Sequence, residues 1–221
     1  RYVVRLGMGV SYAWNLGSPE KAFLADRIPS GATVYDIGAN RGQFTLLFSH
    51  LVGEAGRVIS FEPVEKLADT VRRNVELNEI GNARVVAAAA SDEKGTAEFA
   101  YTDQHSTQGM LQETEPSYQI EGADTIEVRT VRLDDVVGDI EGGAPDVMKV
   151  DVEGGAGAVF EGATSVLETY APDVYVELHG PEEQRAVREL LLEHGYAAET
   201  LDGRSVKDPT ADWRSPLWCT K

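Results

Sequence analysis

The 221-residue sequence predicts an α/β fold, a mostly parallel sheet with helices on both faces. Two observations carry that reading. Apolar runs of strand length alternate with segments of helical periodicity, as parallel strands joined by crossover helices require. The first complete run of this kind lies in "VYDIGANRGQF", residues 34–44, where a strand pattern passes through two glycines into a helix. That is the turn at which open α/β sheets bind ligands. The chain is long enough for one domain with a full core. Its expected division is a helical extension over residues 1–32, packed outside a main domain over 33–221.

The elements follow in order. Pro19 begins a helix that runs to about Ile28. Thr33–Ile37 is a strand, and 42–51 follows as a helix. Arg57–Phe61 is the next strand, stopped by Pro63. Residues 64–78 are helical, with Leu67, Val71, Val75 and Leu77 as the expected apolar face. Residues 83–89 form a third strand. The rhythm then breaks. Residues 96–101 and 125–133 read as an antiparallel pair around a long polar loop, and loops of that length in compact domains lean toward function. A strand over 146–151, one helix over 155–169 and a strand over 173–179 resume the alternation. A helix over 181–194 is closed by Gly195. Strands over 196–201 and Leu217–Thr220 complete seven in the main sheet.

Charge and composition exclude several classes of function. Lys and Arg number 20 against 37 Asp and Glu, a net charge of −17. A general nucleic-acid binder needs a basic patch. Here Arg72 and Arg73 are the only adjacent basic pair, and they fit the outer face of a helix. The acid surplus suits either a salt-adapted protein or an ordinary acidic enzyme. No apolar run reaches the roughly 18 residues of a membrane span, and no signal-peptide pattern is present. The single cysteine, Cys219, excludes an internal disulfide and fits a reduced, cytoplasmic setting. The sequence begins at Arg1 with no Met, as a fragment would.

The glycine turn narrows the ligand. Gly38 and Gly42 let the backbone turn tightly and approach a bound group. The helix behind them offers free N–H groups to an anion. Glu62, at the end of the next strand, is placed to accept hydrogen bonds from ribose hydroxyls. A dinucleotide fingerprint needs glycines at 38, 40 and 43, and Asn40 and Gln43 stand there instead. No Gly-Lys-Ser/Thr follows, so a P-loop is absent. The remaining common nucleoside ligand is S-adenosylmethionine (SAM). Asp36 answers its amino group, the helix start its carboxylate, and Glu62 its ribose. The competing readings are a tight turn without a ligand, a SAM-binding module without catalysis, and a nicotinamide-dependent oxidoreductase.

The combination is specific enough to suggest a family. "VYDIGANRGQFT", "FEP" at 61–63, "RRNVELN" at 72–78, "ASDEKGTAEF" at 90–99, "LDD" at 133–135, "DVMKVDVEG" at 146–154 and "PDVYVELHG" at 172–180 resemble the FkbM-type SAM-dependent methyltransferases. The resemblance implies a class I methyltransferase fold, Rossmann-like, and methyl transfer to a hydroxyl of a small molecule, sugar or natural product. Carried onto this sequence, it implies a cofactor set of Asp36, Gly38, Ala39, Asn40, Gly42, Glu62, Pro63, Ser91, Asp92 and Asp151. One position departs from the family pattern. Ala156 stands where a second acid usually follows Glu153-Gly154.

Strand alternation places the chemistry. Val147, Lys149 and Asp151 share one face of their strand, and Tyr175, Glu177 and His179 share one face of the next. Interior strands are normally apolar on both sides. Lys149 and Glu177 are therefore expected to pair with one another. His179, Asp151 and Glu153 lie at the carboxyl ends and form the expected catalytic set, with His179 as general base. Its pKa is expected to be displaced from about 6.5 by the acids nearby. His105 and Ser106 in the polar loop are expected to meet the acceptor. His50 and His194 near helix ends, and Trp14, Trp213 and Trp218 outside the matched region, are read as structural. The residue pattern demands no metal.

Overall fold

The computed structural model describes residues 18–101, 109–111, 124–139, 143–206 and 216–221. Helix α1 is Pro19–Arg27. Ser18 caps it by accepting the Lys21 N–H, and Pro19 supplies the fixed φ of the first helical position. Strand β1 (Thr33–Ile37), helix α2 (Gln43–Val52), strand β2 (Arg57–Phe61), helix α3 (Glu65–Leu77) and strand β3 (Ala83–Val86) then alternate as expected. Four short strands follow: β4 (Ala89–Ala90), β5 (Gly95–Tyr101), β6 (Gly109–Leu111) and β7 (Asp124–Val131). After α4 (Leu133–Val136) the alternation returns with β8 (Val147–Asp151), α5 (Ala156–Glu161), α6 (Thr164–Thr169), β9 (Asp173–Glu177) and α7 (Pro181–Glu193). Strands β10 (Ala197–Thr200), β11 (Ser205–Val206) and β12 (Leu217–Thr220) end the chain.

The main sheet has eight described strands rather than the expected seven, in the order β11-β10-β12-β9-β8-β1-β2-β3. The addition is β11, which pairs antiparallel with β10. Strands β9, β8, β1, β2 and β3 run parallel, and β12 lies antiparallel between β9 and β10. A second sheet, β4-β7-β5-β6, holds the expected antiparallel pair β5–β7.

Side chains alternate across the main sheet into two cores. Val34, Val58, Val147 and Tyr175 pack with Leu24 and Ile28 of the N-terminal segment and Leu47 and Phe48 of α2. Tyr35, Ile59, Met148 and Val176 pack on the other face with Val159, Phe160, Val166 and Val187 of the later helices. Phe23 meets Trp218 edge-on at 6.0 Å, and Arg27 ties α1 to Glu199 of β10. Trp218 is thus a packing residue, as expected.

Three element readings are corrected. Residues 83–89 do not form one strand, because the chain leaves the main sheet after Val86 and Ala89 starts the second sheet. Residues 155–169 form two helices, broken at Gly162. A Cβ on Gly162 would stand 1.9 Å from the Ser91 carbonyl oxygen, so this backbone packs directly on another. On α3 the inward face is Leu67, Ala68, Val71 and Asn74, and Leu77 is exposed. Leu77 lies ten residues beyond Leu67, which at 3.6 residues per turn falls well off that stripe.

Candidate active site

The glycine turn crosses the end of β2. The N–H groups of Gly38 and Ala39 both donate to the Phe61 carbonyl, at 3.1 and 3.0 Å. Gly38, Asn40 and Gly42 all have positive φ, at 80°, 51° and 82°. Gly38 is required by its neighbour as well as by its φ. A Cβ there would meet the Asp151 carbonyl oxygen at 2.0 Å.

Glu62 anchors the turn. Its Oε2 accepts the Asn40 N–H at 2.8 Å and its Oε1 the Val64 N–H at 3.0 Å. It is only 4 % exposed, and burial pushes its pKa up to about 7 against those two hydrogen bonds. Each carboxylate oxygen keeps a further lone pair, so Glu62 fits the ribose-accepting role. Pro63 follows it, half-buried, on the way into α3. Ser91 donates to Asp92 at 2.9 Å, and its own N–H bonds the Val131 carbonyl. The two residues sit just past β4, where Ser91 is pressed under Gly162.

Asp36 does not take its expected place. It is fully buried behind the glycine turn. Thr45 of α2 donates to its Oδ2 at 2.7 Å, and the Lys149 ammonium stands 3.4 Å from its Oδ1. The register explains this. Asp36 and Lys149 are partners across the central strands β1 and β8, on the face that α2 covers. Asp36 is therefore a brace beneath the turn rather than a ligand for an amino group.

Lys149 likewise does not pair with Glu177. Its ammonium lies 3.4 Å from Asp151 as well as from Asp36, and donates to the Gly38 carbonyl at 2.8 Å. Burial alone would depress its pKa, but Asp151 and Asp36 outweigh it and hold the pKa above the usual lysine value. Across the β8–β9 register it is Tyr175 that faces Lys149, while Glu177 faces Asp151.

At the carboxyl ends of β8 and β9 the expected trio does assemble. His179 Nε2 lies 3.2 Å from Asp151 Oδ1, and His179 Nδ1 lies 3.5 Å from Glu153 Oε2. Against the cost of burial, Lys149 and His179 hold the Asp151 pKa down to about 2. The hydrogen bond with Asp151 raises His179 to about 9, opposed by burial and aided by the charges of Glu153, Asp151 and Glu183. At neutral pH the ring is therefore an imidazolium. Burial raises Glu153, and raises Glu177 with help from Asp151.

Donor atoms of Asp151, Glu177 and His179 lie within 4.8 Å of one another, close enough to share a cation. Lys149 and the imidazolium also bring positive charge to Asp151. His105 and Ser106 lie outside the described residues, as do Trp14 and Trp213. His194 bonds the Leu190 carbonyl at the end of α7, a structural role.

Three contributors escaped the sequence reading. Thr45 donates to Asp36, and Ser60 meets the Thr45 hydroxyl at 2.9 Å. Glu183 in the first turn of α7 accepts the N–H groups of both His179 and Ala156. Ala156 carries no acid, yet a carboxylate reaches its backbone from α7. The only signal for Glu183 was an acid in a helix's first turn, which ordinarily reads as a response to the helix dipole.

Comparison with known proteins agrees with this fold. The family profile described as the Methyltransferase FkbM domain matches residues 36–198. Methyltransferase sdnD of Sordaria araneosa is 27% identical over 191 residues, covering 75% of this chain and 73% of that protein. The crystal structure of an FkbM methyltransferase from Methylobacillus flagellatus KT superposes with a TM-score of 0.56 at 16% identity. It covers 86% of this chain, which spans only 43% of that longer one. Fibrillarin from Aeropyrum pernix, solved with natively bound S-adenosyl-L-methionine, gives a TM-score of 0.52 at 11% identity over 88% of this chain and 68% of its own. The fold is that of the class I methyltransferases.

Proposed function

The chain belongs to the FkbM methyltransferase family, and from that premise we propose that it methylates a hydroxyl oxygen on a small-molecule acceptor such as a sugar or natural product. SAM is its cofactor, and when bound it supplies an electrophilic methyl group. The glycine turn and Glu62 fit it. The turn presents backbone at three positive-φ positions, and Glu62 keeps acceptor capacity for a ribose. A free, buried Cys219 supports a cytoplasmic setting, and no described helix is long and apolar enough to cross a membrane.

One observation carries the oxygen-transfer reading: the contact of His179 with Asp151 at the carboxyl ends of two adjacent parallel strands. An alcohol needs a base when it attacks. Asp151 holds one ring nitrogen, which fixes the tautomer and leaves the other nitrogen free to take a proton. That second nitrogen, Nδ1, faces Glu153 at 3.5 Å, too long for a strong hydrogen bond. An acceptor hydroxyl that reaches Nδ1 of the neutral ring gives it its proton, while Glu153 accepts a neighbouring hydroxyl.

The test is a panel of hydroxylated, amino and carboxylic acceptors assayed for release of S-adenosylhomocysteine. Release with hydroxyl compounds is expected, and release confined to amines or carboxylates overturns the oxygen reading. The cofactor half is tested separately. Glu62→Ala should cost about 1.5–3 kcal/mol of SAM binding, the range for a hydrogen bond to a charged group. Unchanged affinity by calorimetry in a folded variant removes Glu62 from the cofactor site.

A further inference from the structure

Glu183 is a buried carboxylate that the chemistry above leaves unused. It is 9 % exposed and stands in the first turn of α7. The chain reaches that helix through Gly180, at φ 129° and ψ 161°, followed by Pro181. Glu183 Oε2 accepts the N–H of His179, just before that turn. Its Oε1 accepts the N–H of Ala156 at 2.9 Å, at the start of α5.

Capping would account for the first bond. An acid at the third position of a helix often reaches back to the N–H groups ahead of it. Capping does not account for the second, because Ala156 is 27 residues away on a different element. The one carboxylate thus ties together two connections. One carries His179, between β9 and α7. The other carries Glu153, between β8 and α5, directly after Asp151.

We propose that Glu183 is a positioning residue, which sets the His179 main chain so that its imidazole rests between Asp151 and Glu153. The proposal rests on the reading of His179 as the base. Each neighbouring element contributes to the surroundings of the ring. Asp151 and Lys149 come from β8, Glu153 from the turn after it, Glu177 from β9 and Glu183 from α7. The Glu183 charge also acts on the imidazole in the same direction as Asp151 and Glu153. A carboxylate that merely spliced the two helices would act on the imidazole through its charge alone, so Glu183→Asp, which keeps the charge, would then leave His179 titrating as in the wild type.

Proton NMR of the full chain reads this directly. The protein has four histidines, so the ring resonances can be followed one by one, with His179→Asn assigning the signal in question. In Glu183→Gln the His179 midpoint should fall by about one pH unit, as loss of a nearby like-acting charge and of alignment with Asp151 implies. If the Gln variant does not fold, Glu183→Asp keeps the charge but cannot span both N–H groups, and the His179 midpoint should again fall. A folded variant of either kind in which His179 titrates as in the wild type overturns the proposal. Turnover separates the two readings. A shifted midpoint with full turnover in His179→Asn keeps the positioning role and removes the base. An unshifted midpoint with turnover lost in His179→Asn keeps the base and removes the role of Glu183.

Discussion

Lys149 sits in the middle of the sheet, out of reach of water, and must be compensated by protein charge. Sequence alternation placed it on the right face but named the wrong partner, Glu177 on the neighbouring strand. Register decides the pairing, and the two-residue offset that sets Tyr175 rather than Glu177 opposite Lys149 cannot be read from either strand alone. The true partners, Asp36 and Asp151, lie on β1 and on its own strand. Lys149→Met should therefore leave Asp36 buried without a cation and destabilise the fold by about 3–5 kcal/mol. Chemical denaturation measures this, and a loss below about 1 kcal/mol would contradict the bracing role. Glu62, singled out by its place after the second strand, is seated against the glycine turn. Glu183 was not legible in the sequence, because its meaning depends on α5 lying beside α7.

The elements were legible where one pattern served one core. Strands β1, β2, β8 and β9 and helices α2 and α7 lie within a residue or two of their expected bounds, since apolar periodicity alone defines them. The break between α5 and α6 was hidden for the same reason. Val159, Phe160, Ala163, Val166 and Leu167 are all buried, so the helical pattern runs straight through Gly162. What interrupts it is the Ser91 carbonyl, a contact some seventy residues away in sequence. Gly162→Ala should push these backbones apart and cost about 1–3 kcal/mol, the range for overpacking. Gly162 has negative φ, so no conformational strain confuses the result. Gly95→Ala is the control, because a Cβ there meets nothing within 4 Å. Equal melting temperatures for the two variants would refute the packing argument. The polar loop that carries His105 and Ser106 lies outside the described residues, apart from β6 within it.

For the whole molecule, buried titrating groups and net charge act in the same direction. Glu62 is raised to about 7 and His179 to about 9, and Glu153, Glu177 and Glu183 are raised as well. A group with a raised folded pKa binds its proton more tightly in the folded state. Its stabilisation is full below the unfolded pKa and is lost as pH rises through the folded one. Asp151, lowered to about 2, acts oppositely, and its contribution is lost only in strong acid. Between about pH 5 and pH 9 the slope is therefore downward. The charge of −17 adds self-repulsion that salt screens, with a Debye length of about 10 Å at 0.1 M and 3 Å at 1 M. Melting temperature should fall from pH 5 to pH 9 at fixed ionic strength, and rise from dilute buffer to molar KCl at fixed pH. A curve that climbs toward pH 9 would contradict the titration argument, and one flat in salt would contradict the repulsion.

The central claim is that His179, held by Asp151, takes the acceptor's proton. The measurement is the pH dependence of turnover under rate-limiting methyl transfer, for wild type and His179→Asn, with a hydroxyl acceptor from the panel. The neutral ring is the active form, so wild-type turnover should fall about tenfold per unit of acid below an apparent pKa of about 9. His179→Asn should lose that limb and about 10²–10⁴-fold in turnover, with SAM affinity nearly intact. Wild-type turnover in His179→Asn, or a wild-type profile flat between pH 6 and pH 9, would contradict the account.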